Sequence, residues 1–292
     1  MTRGRPGLRP PTLVEGGRPW RVLAVHAHPD DETLATGVAL AHHVACGDRV
    51  HVITCTLGEE GEVIPAELAH LEGSELLGPH RQRELHEAMA ELGVEHEFLG
   101  GTLPRWRDSG MAGSPGAAHP RAFAGADVDE VAAVLGRRLR ALRPQIVLTY
   151  DESGGYGHPD HIQTHRVTVA AVRSVPAAER PNLYAVLTPR SWALQDRSWL
   201  AAHVDPSQAL AVPDAGADFP SSVVRDDLVG AAVLDPAAVP VQVRALLRHR
   251  TQVRVHEGYY SLSNDVAARL PGREGYARID AETGQLAGSG HG

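Results

Sequence analysis

Short apolar runs alternate with helical patterns along the first two thirds of the chain, and this alternation restricts the possible folds. Runs typical of strands occupy residues 21–27, 49–56 and 145–150 of the 292-residue sequence. Apolar residues recur at helical spacing over residues 34–46 and 128–142. Repeated strand–helix–strand order is typical of a sheet that is covered by helices on both faces. We therefore expect an α/β fold with a mostly parallel sheet.

The C-terminal portion, residues 190–292, is less regular. Residues 204–240 are rich in Asp, Pro and Ala, and the tail after Pro271 shows no periodic pattern, so we expect that tail to be loose. Residues 1–19 are rich in Gly, Pro and Arg, which predicts a disordered N-terminal tail. Because the chain has no internal repeat and no clear linker, we expect residues 20–292 to form a single domain.

Composition and charge argue against several classes of protein. The net charge is -8 at pH 7 and the basic residues form no stripe, which argues against a nucleic-acid partner. No stretch reaches the ~20 apolar residues of a membrane span. The first residues lack the apolar core of a secretory signal, so we expect a cytoplasmic protein. Cys46 and Cys55 lie in apolar stretches, which predicts two buried free thiols rather than a disulfide.

A histidine and three acidic residues, His28-Pro29-Asp30-Asp31-Glu32, follow the first predicted strand. A catalytic zinc ion usually has three protein ligands and one open position. His28 and Asp31 lie on one turn and can converge on a single metal ion. Asp30 then points elsewhere and is free to act as a general base. The alternative is an acid-rich first turn that only complements the helix dipole.

A second cluster, Tyr156-Gly157-His158-Pro159-Asp160-His161, follows the strand predicted at 145–150. His161, which we expect to open a helix, can supply a third metal ligand. His158 can donate a hydrogen bond or, as an imidazolium, protonate a leaving amine, and Tyr156 can polarise a carbonyl group. The alternative is a turn whose side chains satisfy backbone groups. Since ligands bind at the carboxyl ends of strands in such sheets, the two clusters together predict metal-assisted hydrolysis.

Residues near these clusters carry further predictions. We expect His26 either to support the metal ligands from behind or to line the pocket, rather than to bind metal, and His165 to be a satisfied helix histidine. Thr33 is expected to cap the helix that follows the first cluster. The polar loop 100–127 is long, and such loops are uncommon unless they are functional or disordered.

The two motifs Ala-His-Pro-Asp-Asp-Glu and Gly-His-Pro-Asp-His resemble those of the LmbE/PIG-L family of zinc-dependent deacetylases, which act on N-acetyl amino sugars. The similarity covers roughly residues 20–190, with some support at 245–262. It is greatest to those members that remove acetate from N-acetylglucosaminyl-inositol in mycothiol biosynthesis. The longest matching segments are 25–32, 54–64, 105–113 and 149–161. The resemblance implies a Rossmann-like α/β fold.

The resemblance also implies how the metal centre is built. It implies zinc ligation by His28, Asp31 and His161, and it implies Asp30 as the general base. Zn²⁺ is the expected ion, one for each subunit, although His and Asp sites also accept Fe²⁺ or Co²⁺.

The remaining roles implied by the resemblance concern the substrate. His158 is implied as an acid or electrostatic partner, and Tyr156 as a contact of the carbonyl group. Arg81 and Asp108 match positions that hold sugar or inositol hydroxyls, and Met111 matches a position in the same pocket.

The expected function is zinc-dependent removal of the N-acetyl group from N-acetylglucosaminyl-inositol. One alternative is a mycothiol S-conjugate amidase, which performs the same chemistry on a larger thioether substrate. A more remote alternative is a non-catalytic sugar-binding module with a structural metal, although no Gly-x-Gly-x-x-Gly loop follows the first strand. The expected partner is a small molecule, with no nucleic acid and no membrane, and a homo-oligomer is left open.

Overall fold

Within the part of the chain that the structure describes, a seven-stranded sheet forms the centre of the protein. The computed structural model describes residues 19–214 and 216–287. The tail predicted over residues 1–19 therefore lies, except for Pro19, outside the described residues. No helix in the described ranges combines the length and the apolar character that a membrane crossing needs.

The strands and helices follow each other in an order that confirms the α/β prediction. The strands are β1 (Arg21–His26), β2 (Arg49–Thr54), β3 (Glu95–Phe98), β4 (Ile146–Thr149), β5 (Asn182–Val186), β6 (Thr188–Pro189), β7 (Val223–Val224), β8 (Ala231–Leu234), β9 (Arg254–Val255), β10 (Tyr259–Ser261), β11 (Ala267–Arg269) and β12 (Arg273–Arg278). The helices are α1 (Asp31–Ala45), α2 (Leu77–Leu92), α3 (Val128–Leu142), α4 (Gly154–Gly157), α5 (Pro159–Arg173), α6 (Arg190–His203) and α7 (Val239–Leu246).

The main sheet has the order β3-β2-β1-β4-β5-β12-β8, and its first five strands are parallel. Successive side chains of a strand face opposite sides of a sheet. Leu23 and Val25 of β1 accordingly belong to an apolar cluster with α3 and α5, whereas Val22 and Ala24 belong to one with α1, α2 and α7. Burial on both faces explains why β1 is a continuous apolar run.

The expectation of a loose tail after Pro271 is wrong. Strand β12 lies between β5 and β8, is antiparallel to both, and buries Tyr276 completely. Gly275 permits this insertion, since a Cβ there would lie 2.5 Å from the carbonyl oxygen of Leu187. A separate small sheet, β11-β10-β9, packs near α6 and forms the smaller C-terminal portion that was expected.

Three local expectations also differ from the structure. Helix α1 begins at Asp31 with Asp30 in the cap position, so Thr33 already lies in the first turn and is not the cap. Helix α5 begins at Pro159, a residue whose fixed φ suits the first helical position, so His161 does not open it. Cys55 is buried, but Cys46 is exposed because it follows the last residue of α1 at the surface.

Candidate active site

The two acid-and-histidine clusters meet at the carboxyl ends of β1 and β4, which are neighbours in the sheet. From β1 the chain continues to β2 on one side, and β4 lies on the other side. Such a reversal of strand order leaves a crevice outside the strand ends. The turn after β1 contributes His28, Asp30 and Asp31, and the segment after β4 contributes Tyr156 and His161.

The three predicted ligands surround one point. The Nδ1 atom of His28 lies 3.3 Å from Asp31 Oδ2, and His161 Nε2 lies 3.3 Å from Asp31 Oδ1. The distance between His28 Nδ1 and His161 Nε2 is also 3.3 Å. Ligands at about 2.0–2.1 Å from a tetrahedral zinc ion are separated by roughly 3.3 Å, so this donor set fits a metal ion of that size.

The hydrogen bonds on the far side of each imidazole orient it toward that point. Nε2 of His28 faces Asp160 Oδ2 at 3.2 Å and Asp108 Oδ1 at 3.3 Å, so in the neutral ring the proton lies on Nε2 and Nδ1 carries the lone pair that a metal ion can use. Nδ1 of His161 faces the Gly154 carbonyl oxygen at 3.2 Å, so in the neutral ring Nδ1 donates there and Nε2 carries the lone pair. Partners of this kind fix the tautomer of a metal-binding histidine.

A second set of donor atoms, from His28, His158 and His161, also lies within 4.8 Å. His158 caps α5, and its Nδ1 accepts from the Asp160 backbone N–H at 3.2 Å. In the neutral ring the proton therefore lies on Nε2, which is a donor and not a metal ligand. The geometry favours Asp31 over His158 as the third ligand, because Asp31 contacts both His28 and His161.

Of the two forms considered for His158, the structure favours the neutral hydrogen-bond donor over the imidazolium. Burial, together with the neighbouring His28 and His161, lowers the pKa of His158 to about 4. The ring is therefore neutral near pH 7 and offers an N–H donor. Tyr156 lies beside it at the rim of the site, with ring centroids 6.1 Å apart, and its phenol is a second donor.

Asp30 adopts a backbone conformation that is rare for a residue with a side chain. Its φ is 113° and its ψ is -35°, and positions of this kind cost on the order of 1–3 kcal/mol. Its carbonyl oxygen accepts from the N–H groups of Thr33 and Leu34 and so begins α1. The Asp31 carboxylate faces the two histidines, whereas Asp30 Oδ2 lies 3.4 Å from Arg81 Nη2.

The two adjacent carboxyl groups have opposite electrostatic environments. Burial raises the pKa of Asp30 to about 7, although Arg81 opposes this, and the charge of Asp31 adds to it. Burial also acts to raise the pKa of Asp31, but His161 and His28 outweigh it and hold the pKa of that carboxyl well below its usual range. The pair therefore contains one charged group suited to ligation and one group suited to exchanging a proton near neutral pH.

Arg81 is buried behind Asp30. Its Nη1 donates to the Gly58 carbonyl oxygen at 2.6 Å, and its Nη2 donates to that of Pro29. Added Cβ atoms at Gly58 and Gly61 would lie 2.1 Å and 2.6 Å from Nη1, which explains the glycines of this loop. The implied role of Arg81 in binding hydroxyls stays a prediction, and its present contacts support the turn that contains Asp30.

Asp108 is also buried and contacts the cluster from behind. Besides His28, it accepts from the N–H groups of Gly110 at 2.8 Å and Glu60 at 3.2 Å. The loop 100–127 thus contributes directly to the site, and the role of Asp108 toward hydroxyls stays a prediction. Met111, on the same loop, is 52% exposed and does not line the cavity described below.

Tyr150, at the end of the β4 segment, is a site residue that the sequence patterns did not reveal. Its ring stacks on His161 with centroids 4.1 Å apart. His26 Nδ1 lies 3.2 Å from the Tyr150 hydroxyl, and His165 Nδ1 lies 2.9 Å from its carbonyl oxygen. Both histidines therefore contact Tyr150 and support it. The only sequence signal for Tyr150 was its position at the end of the strand predicted at 145–150.

A cavity of about 640 Å³ opens beside the cluster. Asp30, Asp31, Tyr156 and His161 line one end of it. The C-terminal portion supplies a large part of the remaining walls, which include Trp192, Asp196, Tyr260, Asn264, Arg269 and Arg273. The cavity volume is in the range of pockets that hold small organic ligands.

The fold is shared with solved deacetylase structures. A deacetylase–teicoplanin complex from the biosynthesis pathway of teicoplanin has a TM-score of 0.52 at 18% identity, over 89% of this chain and 99% of that one. The A40926 pseudoaglycone deacetylase Dbv21 has a TM-score of 0.51 at 21% identity, over 80% of this chain and 83% of that one. At these identities the likeness concerns the fold alone.

Sequence relatives are much more similar. A 1D-myo-inositol 2-acetamido-2-deoxy-alpha-D-glucopyranoside deacetylase of Thermomonospora curvata is 44% identical over 92% of this chain and 94% of its own length. A protein of the same description from Thermobifida fusca is 46% identical over 86% of this chain and 89% of its own length. The model of the PIG-L family, GlcNAc-PI de-N-acetylase, matches residues 23–172. The chain therefore belongs to the PIG-L family.

Proposed function

We propose that this protein is a zinc-dependent hydrolase that removes the N-acetyl group from 1D-myo-inositol 2-acetamido-2-deoxy-alpha-D-glucopyranoside, in mycothiol biosynthesis. The observation that carries the proposal is the position of the Asp30 carboxylate, which is separate from the converging donor atoms of His28, Asp31 and His161. The substrate is proposed from the description shared by relatives that are 44% and 46% identical to this chain.

His28, Asp31 and His161 would hold the metal ion, for which we propose Zn²⁺ over Fe²⁺ or Co²⁺. Two neutral imidazoles and one carboxylate form a donor set typical of catalytic zinc sites. The chemistry that such an ion supplies is Lewis acidity, which polarises a carbonyl group and makes water more acidic.

Asp30 acts as the general base in this proposal. Its carboxylate accepts a proton from the attacking water, and a base with a pKa near the working pH performs this transfer most effectively. The same carboxyl group, once protonated, returns the proton to the departing amine. Acetate and a free glucosaminyl amine are the products.

Tyr156 and His158 act as hydrogen-bond donors toward the substrate. As negative charge develops on the acetyl oxygen, the phenol O–H and the imidazole Nε2–H stabilise it. A neutral His158 suits this role, because its Nδ1 is already an acceptor for Asp160.

The cavity accommodates the sugar and the inositol ring. Arg81, Asp108 and Met111 do not line this cavity, and their roles as substrate contacts stay predictions. We further propose that residues 20–292 act as one domain in the cytoplasm, with a small molecule as the partner, and a homo-oligomer remains compatible with this function.

The decisive test is release of a primary amine by the purified, zinc-loaded protein. N-acetylglucosaminyl-inositol and a mycothiol S-conjugate are assayed side by side, with Asp30→Asn as the inactive control. Preference for the first substrate supports the proposal. Preference for the conjugate assigns the protein to the amidases, and absence of amine from both, with zinc bound, refutes both assignments.

A further inference from the structure

A histidine from the C-terminal portion reaches the turn that contains Asp30. His249 follows α7 and is completely buried. Its Nε2 lies 2.9 Å from Oε1 of Glu32, which is completely buried as well. The other ring nitrogen, Nδ1, is buried and makes no hydrogen bond with the described residues. The contact with Glu32 is therefore the main polar interaction of this ring.

Glu32 in turn holds the backbone of Asp30. Its Oε2 accepts from the Asp30 N–H at 3.1 Å, while Oε1 also accepts from the Thr33 hydroxyl at 2.6 Å. Asp30 has a φ of 113°, a conformation that persists only where surrounding contacts maintain it. The hydrogen bond to Glu32 is one of these contacts, because it holds the backbone N–H of Asp30 itself.

A buried carboxylate keeps such a geometry only if it is paired. Removal of the histidine N–H leaves Glu32 Oε1 with only the Thr33 hydroxyl as a donor, and a buried acceptor that has lost a partner turns toward another donor or toward water. Glu32 contacts His249 and Thr33 through Oε1 and the Asp30 N–H through Oε2, so either response changes its contact with Asp30. His249 supplies the partner that keeps the carboxylate in place.

The neighbouring Thr251 provides a comparison. Its N–H and its hydroxyl donate to the buried Glu84 of α2 at 2.9 and 2.6 Å. Thr251 therefore anchors the same segment to the protein through a carboxylate of similar burial, but this carboxylate lies on α2 and not on the turn of Asp30.

We propose that His249 is a positioning residue for deacetylation, which acts through Glu32 to hold Asp30 in the conformation that presents its carboxylate to the substrate. The inference rests on the proposed function of Asp30 as the general base. It also assigns to the C-terminal portion a positioning role toward Asp30, in addition to its role as a wall of the cavity.

The test compares variants of His249 in the full-length, zinc-loaded protein, with N-acetylglucosaminyl-inositol as substrate. His249→Ala removes the donor, His249→Gln places an amide N–H near the position of Nε2, and His249→Asn has an amide too short to reach Glu32. We expect kcat to fall about 100-fold in the Ala and Asn variants, the size of effect that a small misplacement of a catalytic group produces. KM and the zinc content stay unchanged, and the Gln variant regains most of kcat.

Thr251→Val serves as the matched structural control. It removes the two hydrogen bonds of the Thr251 hydroxyl, one to Glu84 and one from Gln252, so we expect a lower Tm but a kcat within about threefold of wild type. If the Ala variant does not fold, the Gln and Asn variants decide the question, because they differ mainly in the reach of the amide.

Glu32→Ala, alone and combined with His249→Asn, tests whether the histidine acts through the glutamate. We expect the double variant to have the kcat of Glu32→Ala. Independent, multiplying losses overturn the inference, as does a kcat within threefold of wild type in His249→Asn. An inactive wild-type protein refutes the proposed function and the inference together, whereas an active one with unaffected His249 variants refutes the inference alone.

Discussion

Arg81 and Asp30 are linked through the backbone as well as through their charges. Nη2 of Arg81 donates to the carbonyl oxygen of Pro29 and lies 3.4 Å from Oδ2 of Asp30. The guanidinium thus holds the strained turn on one side, and Glu32 holds it on the other. The position of the proposed general base depends on contacts from α1, α2 and the C-terminal portion at the same time.

Gly58→Ala is expected to displace Arg81. The new Cβ would lie 2.1 Å from Nη1, and Gly58 has a φ of +67°. We expect a loss of about 2–4 kcal/mol of unfolding free energy, from backbone strain and the displaced guanidinium, and a lower kcat. Gly47→Ala is the control, since Gly47 has a φ of +79° but no atom within 4 Å of an added Cβ. Equal effects of both substitutions on stability and kcat would contradict the role given to Arg81.

Asp30→Asn is expected to abolish most turnover while the metal is retained. The amide has nearly the same shape but cannot accept the proton, and general-base catalysis contributes typically 10²- to 10⁴-fold. Steady-state kinetics with the acetylated substrate, together with metal analysis of the same sample, provides the measurement. A kcat within tenfold of wild type would show that another group takes the proton.

Asp31→Ala is expected to lose the metal. Asp31 contacts both His28 and His161 at 3.3 Å, so its removal deletes one of the three proposed ligands. We expect zinc affinity to fall by more than the 10- to 100-fold that is typical for residues that only support a ligand. Zinc content after dialysis against a chelator measures this, with Asp30→Asn as the control. Full zinc occupancy in Asp31→Ala would mean that the ligand set is wrong.

Glu274 on β12 should make stability depend on pH. Its carboxyl group accepts from the N–H groups of Val38 at 2.7 Å and Ala39 at 2.9 Å and from the Tyr276 hydroxyl at 2.6 Å. Burial raises the pKa of Glu274 from 4.5 to about 7, and the three donors oppose this only in part. The folded protein therefore binds a proton here more tightly than the unfolded chain.

The contribution of Glu274 is fully present below pH 4.5 and is lost as the pH rises through about 7. A pKa shift of this size corresponds to about 3 kcal/mol. The Glu274→Gln variant has no titrating group at this position. Between pH 4.5 and 8, the unfolding free energy of wild type should therefore fall by about 3 kcal/mol more than that of the variant. Urea unfolding across this range measures the difference. An increase with pH would mean that Val38, Ala39 and Tyr276 favour the charged form.

Local patterns predicted much of the framework and the candidate site. His28 and Asp31 lie on one turn, and the apolar runs before the two clusters correctly predicted strands whose ends are neighbours. Such predictions succeed because strand periodicity, turn residues and the order of strands and helices are properties of short segments. The conformation of Asp30 was not predicted, since a φ of 113° is maintained by residues from other elements.

Long-range contacts decided the rest. The sequence by itself determined the α/β class, the positions of both clusters and the separate orientations expected for Asp30 and Asp31. Only the tertiary structure inserted β12 into the main sheet, buried Arg81 against Gly58 and brought His249 to Glu32. These contacts join residues that lie far apart along the chain, and no local periodicity specifies them. They form because the buried groups must be packed and paired once the sheet order is set.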